Sequence, residues 1–304
     1  MISVSIILPV YNGAQTLSIT LESLLAQTFE DFELIACIDG GNDDSEAILS
    51  QYSKRFKKLT ILKNDENKGL GPTLNRLVFH SKGDYIAIAE QDDYYYPERL
   101  EQQVKILNSD QTIGLVSGIA EFWNGNDVST LFPGILVNGN QYPEGADMFK
   151  LNYINQIKVV NSCMMFRKSV HIENGLYFTK HYPSISVDWT YILRFSLVSK
   201  IHGIHKVLVR LDRRPERDSV TSNKLKQFSA TRELLRSMAY EYQNIITNAD
   251  YKIAMRTQNV MEINSKSGLE YLLVWLKYFL MYPFEKRYIR SMSKRIHQKL
   301  KLLF

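Results

Sequence analysis

The sequence has little cysteine. Its only two cysteines, Cys37 and Cys163, lie in the apolar runs LIACID and SCMMF, and not in the spaced pairs of a disulfide framework or a zinc site. We therefore predict two buried thiols in a reducing compartment. The N-terminus also lacks the basic segment of a secretory signal, and Pro9 interrupts its short apolar run, so we expect a cytoplasmic protein.

Two nucleotide-binding fingerprints are also absent. The segment GLGP (69–72) starts with G-x-G, but Leu74 and Asn75 occupy the region where a third glycine would stand in a dinucleotide-binding loop. No G-x-x-x-x-G-K-[ST] motif occurs in the chain. These absences disfavour a dehydrogenase and a P-loop NTPase.

The chain does contain a regular alternation of apolar runs and helical stripes. With 45% hydrophobic residues in 304, it can form one large α/β domain with an appendage. Five runs are strand-like: SVSIILPV (3–10), DFELIACI (31–38), LTILK (59–63), YIAIA (85–89) and IGLVSGIAEF (113–122). Apolar residues at helical spacing follow each of the first four, and Pro97 is placed to begin the fourth helix. The alternation predicts a largely parallel sheet with helices on both faces.

The alternation of strand-like and helical segments is less regular in the second half of the chain. A loop rich in Gly, Asn and Pro covers 123–145, VVNSCMMFR (159–167) is strand-like, and WTYILRFSLVS (189–199) is helical. After about residue 222 the pattern becomes helical and basic.

Polar clusters follow three of the predicted strands: PVYNG (9–13), IDGGNDDS (38–45) and EQDD (90–93). Ligands of open α/β sheets bind beyond the carboxyl ends of the strands. We therefore expect the three clusters to converge on one crevice.

The EQDD cluster combines Glu90, Asp92 and Asp93 within four positions. Such carboxylates repel one another unless a cation compensates, and hard oxygen ligands suit Mg²⁺ or Mn²⁺. A divalent ion held this way commonly takes further ligands from a phosphate, which suggests a nucleotide diphosphate. The alternative is a solvated loop in which Asp92 or Asp93 caps the next helix. The tyrosines at 94–96 have no explanation beyond a place at the rim.

Asp39 is the second candidate, since a strand-end carboxylate before two glycines can accept hydrogen bonds from a base or a ribose hydroxyl. An Asx-turn explains the same Asp-Gly segment equally well.

Taken together, SIILPVYNG, QTFEDFELIACIDGGNDDS, NDENKGLGPTLN and EQDD resemble the family 2 glycosyltransferases, over roughly residues 3–221. The resemblance implies the GT-A fold, a three-layer α/β/α sandwich with a mostly parallel central sheet. It implies a nucleotide-sugar site that includes Pro9, Tyr11, Asp39, Asn67, Gly69, Asn75, Gln91 and Asp93. It also implies Mn²⁺ or Mg²⁺ at Asp92, aided by Glu90, which stands where the family's D-x-D motif begins with Asp.

Two segments of the second half extend the resemblance. SVDWTYILRF (186–195) is similar to the family's E-D-x-D-L-W-x-R segment, which implies that Asp188 is the catalytic base. VRLDRRPERDSVT (209–221) is similar to a distal donor-binding loop, with Arg214 at a position often held by His. From the residues alone, a helix N-cap explains Asp188 as well.

The resemblance as a whole implies an inverting, metal-dependent hexosyltransferase that uses a nucleotide sugar, with UDP expected. The acceptor would be a saccharide, lipid-linked as in bacterial O-antigen or capsule assembly. Departures at Ile38, Leu74, Glu90, Val187 and Thr190 leave open a nonenzymatic nucleotide-sugar-binding protein with a degenerate site.

The C-terminal tail carries the basic excess: 277–304 holds eight Lys or Arg against one acid, Glu285. We predict a catalytic domain at 1–222 and a helical basic extension at 223–304.

The apolar stretch 269–284 contains Lys277 and is shorter than the ~20 residues that span a bilayer. The following stretch is an amphipathic helix, so peripheral contact with the inner face of the cytoplasmic membrane is expected. A helix packed on the protein with a solvated basic face is the alternative. No nucleic-acid partner is expected, because no recognised binding module is present.

Overall fold

The computed structural model describes residues 2–132, 140–156, 159–180, 187–214 and 224–301. The chain divides into two compact units. The first comprises Met1–Phe149 and Ile157–Ser219, and the second comprises Lys150–Gln156 and Val220–Phe304.

The first unit is built on one sheet whose strand order is β3-β2-β1-β4-β8-β6-β9-β5, with β7 paired to β6. The strands are β1 (Val4–Val10), β2 (Phe32–Asp39), β3 (Leu59–Asn64), β4 (Tyr85–Ile88), β5 (Asp93–Tyr95), β6 (Ile113–Trp123), β7 (Val128–Phe132), β8 (Met165–Arg167) and β9 (Lys200–Asp212). Six of them, β1, β2, β3, β4, β6 and β9, run in one direction, and β5, β7 and β8 run in the other.

Helices connect these strands and continue to the end of the described chain. In the first half they are α1 (Leu17–Leu25), α2 (Ser45–Tyr52), α3 (Leu70–His80) and α4 (Arg99–Ser109). Further along are α5 (Gly145–Asn155), α6 (Lys168–Glu173) and α7 (Val187–Val198). The C-terminal helices are α8 (Lys224–Glu241), α9 (Asn248–Asn264), α10 (Gly268–Met281) and α11 (Lys286–Lys301).

Successive side chains of the central strands enter opposite core layers, because the side chains of a strand alternate between its two faces. Ile6 of β1 belongs to a cluster with Leu21 of α1 and Val104 of α4. Its neighbour Ile7 belongs to a second cluster with Leu77 of α3 and Ile192 of α7. The sheet therefore lies between two helical layers, and the predicted three-layer α/β/α fold with a mostly parallel sheet is confirmed. Both cysteines are free and buried, as predicted.

Four details differ from the sequence-based predictions. The loop region 123–145 contains strand β7, and 209–212, predicted as a loop, is the end of the long strand β9. The stretch 159–167 includes a 3-10 turn at Asn161–Cys163 before the short strand β8. Helix α4 begins at Arg99, two residues after Pro97.

The second unit contains α8–α11 and has its own apolar cluster of Ile263, Tyr271, Tyr278 and Tyr288. Helix α9 begins with a capping box, in which Thr247 and Asp250 satisfy each other's backbone N–H groups. The predicted helical character of this region is therefore confirmed.

Candidate active site

The carboxyl ends of β1 and β4, which are neighbours in the sheet, are joined by a side-chain amide. Gln91 accepts a hydrogen bond from the backbone N–H of Tyr11 at 2.8 Å and donates one to the Tyr11 carbonyl at 2.9 Å. A Cβ on Gly13 would lie 2.5 Å from Gln91 Oε1, so a side chain at this position would displace the amide. Tyr11 remains 47% exposed and accessible to a ligand.

The carboxyl ends of β1 and β2 are joined by a second set of bonds. The backbone N–H of Gly13 donates to Ser45 Oγ at 2.9 Å, and that of Ala14 donates to Asp43 at 2.8 Å. Asn12, which has a positive φ of 49°, accepts from the Asn42 N–H at 3.2 Å. The three polar clusters after β1, β2 and β4 therefore meet at one edge of the sheet, as predicted.

Asp39 is buried at the end of β2 and accepts three hydrogen bonds from its own chain. Oδ1 accepts from Asn64 Nδ2 at 2.6 Å and from the Lys68 N–H at 2.9 Å, and Oδ2 accepts from the Gly69 N–H at 3.0 Å. Arg76 donates in turn to Asn64 Oδ1 and to the Lys63 carbonyl. Asp39 thus shapes the loop before α3, a role that the sequence did not reveal.

The other residues assigned to the donor site differ in what surrounds them. Asn67 is exposed and accepts from the Gly69 N–H at 2.9 Å, within the loop that Asp39 holds. Pro9 lies in β1 beside Cys37 of β2. Asn75 instead pairs with the backbone N–H and carbonyl of Phe178, at 2.8 Å each, and so fixes the segment after α6.

The acidic residues lie directly after β4. Ligand atoms of Glu90, Asp92 and Asp93 all fall within 4.8 Å of one another, with Asp93 buried and the other two partly buried. Three carboxylates at this spacing form a hard oxygen donor set, which is the chemistry that Mg²⁺ and Mn²⁺ prefer. The residues present therefore fit a divalent cation.

A buried cation lies behind this cluster. Arg99 is fully buried, donates to the carbonyls of Ile88 at 2.8 Å and Met164 at 3.3 Å, and lies 4.6 Å from the centre of the Tyr95 ring. Burial lowers the pKa of Arg99, and nearby groups that include Asp93 oppose this shift. A guanidinium remains charged nonetheless, so it offsets part of the negative charge of the cluster.

Asn161 is a further residue that the sequence did not reveal. It lies in the 3-10 turn before β8, and its Nδ2 donates to Glu90 Oε1 at 2.8 Å. No signal in the run VVNSC marks this residue, because the contact joins positions 71 apart in the chain.

The sequence left Asp93 equally suited to capping the next helix, and the structure shows that it does not cap. Asp93 begins strand β5 opposite Leu211 of β9, whereas the N-cap of α4 is Glu98. The strand pairing directs Asp93 into the protein, so only 1% of it is exposed.

Two of the three tyrosines after Asp93, Tyr95 and Tyr96, form hydrogen bonds that hold this segment in place. The hydroxyl of Tyr95 accepts from the backbone N–H of Glu90 at 2.6 Å. Tyr96 donates to the carboxylate of Glu121, which also accepts from Arg210 Nε at 2.6 Å. Burial and the bond to Glu121 raise the pKa of Tyr96 to about 12, so it remains a donor at neutral pH.

Asp188 and Arg214 occupy different elements. Asp188 is partly buried in the first turn of α7, between buried Val187 and Trp189. Arg214 follows β9, forms an ion pair of 2.6 Å with Asp212, and lies over the Trp123 ring at 5.5 Å. The rest of the predicted distal loop, 215–221, lies outside the described residues.

Comparison with known proteins points to one family. The model of Glycosyl transferase family 2 matches residues 5–175. EpsE of Bacillus subtilis, which is named as a glycosyltransferase, is 31% identical over 183 residues, covering 58% of this chain and 66% of that protein. An uncharacterized glycosyltransferase of Rickettsia prowazekii is 41% identical over 105 residues, covering 34% and 32%. The matched part thus spans less than two thirds of either relative.

Solved structures share the fold at low sequence identity. S. aureus TarS 1–349 in complex with UDP-GlcNAc superposes with a TM-score of 0.66 at 17% identity, covering 90% of this chain and 79% of that one. The mannosyltransferase PcManGT from Pyrobaculum calidifontis, in complex with GDP-Man and Mn²⁺, gives a TM-score of 0.58 at 13% identity, covering 99% and 87%.

Proposed function

This chain belongs to glycosyl transferase family 2, and from that membership we propose that it is an inverting glycosyltransferase acting on a nucleotide diphosphate sugar. The donor is a UDP-sugar, and the acceptor is a hydroxyl group of a saccharide.

The observation that carries this proposal is the acidic cluster of Glu90, Asp92 and Asp93 at the edge where the loops after β1, β2 and β4 meet. A nucleotide diphosphate needs both a surface for its nucleoside and compensation for its phosphates. The joined loops provide the surface for the nucleoside, where exposed Tyr11 lies beside Gln91. The acidic cluster would bind a cation, and the positive charge of that cation would compensate the phosphates.

Asp92 with Glu90 would hold Mn²⁺ or Mg²⁺, which when bound would supply positive charge for the diphosphate of the leaving nucleotide. Asp93 is the buried member of the same cluster. The named complexes of the two solved structures support a nucleotide diphosphate sugar as the donor class, and one of them contains Mn²⁺.

The protein's own groups have two roles in binding the donor. The loops after β1 and β2, with Pro9, Tyr11 and Asp39, form the nucleoside side of the site. Asn67 and Gly69 lie in the loop that Asp39 holds and extend that side. Arg214, held by its ion pair with Asp212 after the end of β9, contributes a hydrogen-bond donor on the other side.

Asp188 acts as the general base. Its carboxylate takes the proton of the acceptor hydroxyl while the hydroxyl oxygen bonds to the anomeric carbon. The bond from that carbon to the nucleotide diphosphate breaks on the opposite side, so the anomeric configuration inverts. One base in line with the leaving group is sufficient for this displacement.

The acceptor is a lipid-linked saccharide of bacterial surface polysaccharide synthesis, and the C-terminal helices contact the membrane peripherally. Helix α10 supports this contact because several of its leucines are exposed: Leu269, Leu272, Leu273, Leu276 and Leu280. Exposed basic residues follow on α11 at Lys286, Arg290 and Lys294. An apolar face beside basic residues fits an anionic bilayer surface. Among the described residues, no helix has both the length and the apolarity needed to cross a membrane.

A donor screen tests the proposed activity. The full chain is incubated with Mn²⁺ and a panel of UDP- and GDP-sugars, and binding is measured by thermal shift and hydrolysis or transfer by product release. We expect stabilisation by one UDP-sugar and turnover that EDTA abolishes. Binding without any turnover would favour a nonenzymatic nucleotide-sugar-binding protein. Turnover that persists in EDTA would contradict the metal role of Glu90 and Asp92.

A further inference from the structure

We propose that Asn161 is the positioning residue that makes Glu90 a competent ligand of the divalent-cation site. This inference rests on the proposed metal-dependent function and adds to it a residue from a distant part of the chain.

The first observation is the contact itself. The Asn161 side chain donates from Nδ2 to Glu90 Oε1 at 2.8 Å, which is a normal length for a hydrogen bond to a carboxylate. Glu90 is also held at its backbone, where its N–H donates to the Tyr95 hydroxyl at 2.6 Å. Both the backbone and the carboxylate of Glu90 are therefore held by neighbouring groups, and this carboxylate belongs to the cluster with Asp92 and Asp93.

The second observation is an unsatisfied oxygen. Only 7% of Asn161 is exposed, and its Oδ1 accepts no hydrogen bond from any described residue. A buried amide oxygen without a hydrogen-bond partner is energetically unfavourable, because it has lost its bonds to water without replacing them. Because the oxygen and nitrogen of an amide are only about 2.3 Å apart, Oδ1 lies no more than about 5 Å from Glu90 Oε1. A neutral oxygen there suits a hard cation or a water molecule that the cation binds.

The length of the Glu90 side chain explains why a hydrogen bond from Asn161 would improve metal binding. Glutamate reaches one methylene further than aspartate, and a longer side chain has more rotamers to lose when it binds a metal. The bond from Asn161 selects one of them in advance. Partners that orient a metal ligand in this way commonly change metal affinity ten- to a hundredfold when they are removed.

The test measures Mn²⁺ binding directly, so it does not depend on turnover. Mn²⁺ is titrated into the full chain, with and without UDP, and free Mn²⁺ is followed by electron paramagnetic resonance. We expect Asn161→Ala to weaken Mn²⁺ binding by about ten- to a hundredfold. Ser162→Ala is the matched control, because Ser162 is a buried polar residue of the same turn whose hydroxyl forms no hydrogen bond with any described residue. It should stay within about twofold of the parent.

A double-mutant cycle with Glu90→Asp tests the positioning role itself. Aspartate cannot reach Asn161, so Asn161→Ala should cost less than about threefold in the Glu90→Asp background. If Asn161→Ala does not fold, Asn161→Ser, which also lacks the donor amide, carries the same prediction. Mn²⁺ affinity within threefold of the parent in the Asn161 variants overturns this inference alone. A parent protein that binds no Mn²⁺, with or without UDP, overturns the metal-dependent function as well.

Discussion

Gln91 and the backbone of Tyr11 are joined by two reciprocal hydrogen bonds, although the residues lie 80 positions apart. The pair closes the edge of the sheet between β1 and β4, directly beside the acidic cluster. The two bonds hold the main chain of Tyr11, which is itself an exposed residue.

We expect Gln91→Leu to weaken nucleotide-sugar binding by about tenfold or more, because it removes two hydrogen bonds worth about 1 kcal/mol each. Isothermal titration of the donor, once the screen identifies it, measures the effect. Gln111→Leu is the control, since Gln111 is exposed between α4 and β6 and lies outside the three polar clusters of the site. Unchanged donor affinity in Gln91→Leu would show that the Tyr11 loop does not bind the donor.

Asp188→Asn should keep donor affinity within about threefold and reduce transfer by at least about a hundredfold, since it removes a base but keeps the shape of the side chain. Donor titration and acceptor turnover are measured on the same preparation. Asp147→Asn is the control, because Asp147 is an exposed acid in the first turn of α5, and both substitutions remove a helix-terminal charge. Transfer at the parent rate would refute Asp188 as the base.

His171 should make the first unit sensitive to acid. It is buried, stacks on Phe166 with ring centres 5.5 Å apart, and contacts the Tyr191 hydroxyl at 2.9 Å. Burial lowers the pKa of His171 from 6.5 to about 4. Because this pKa is below the unfolded value, the folded state is favoured fully above about pH 6.5 and loses that contribution as pH falls towards 4.

Between pH 7 and pH 5 this loss amounts to about 2 kcal/mol in the free energy of unfolding. Urea denaturation at the two pH values measures it, and His171→Gln should remove most of the difference. His205→Gln, at an exposed histidine, should leave the difference in place. An equal loss in the parent and in His171→Gln would assign the acid sensitivity to other groups.

Replacing Leu272 and Leu276 by serine should weaken binding to vesicles rich in phosphatidylglycerol by at least about tenfold, because burying one leucine is worth about 1.5–3 kcal/mol. Flotation of the full chain with these vesicles measures binding. Ile19→Ser with Phe79→Ser is the control, since both side chains are also exposed but lie in the first unit. Flotation that is equal in all three proteins, or absent from the parent, would count against the membrane face.

The sequence by itself determined most of the secondary structure and the place of the acidic cluster. Apolar runs such as 3–10 and 85–89 read as buried strands, and the polar residues after them had to meet at one edge once the strands were parallel. These inferences succeeded because strand and helix periodicity and the position of a motif along the chain are local properties.

Tertiary structure decided what individual side chains do. Pairing of β5 with β9 buried Asp93, a turn 71 residues away brought Asn161 to Glu90, and Asp39 bonded to the loop before α3. In the C-terminal unit, packing buried Tyr288 of α11 and left the leucines of α10 exposed, although sequence pattern drew attention to the amphipathic face of α11. The common reason is that hydrogen bonding and burial depend on contacts between residues far apart in the chain, which no local pattern encodes.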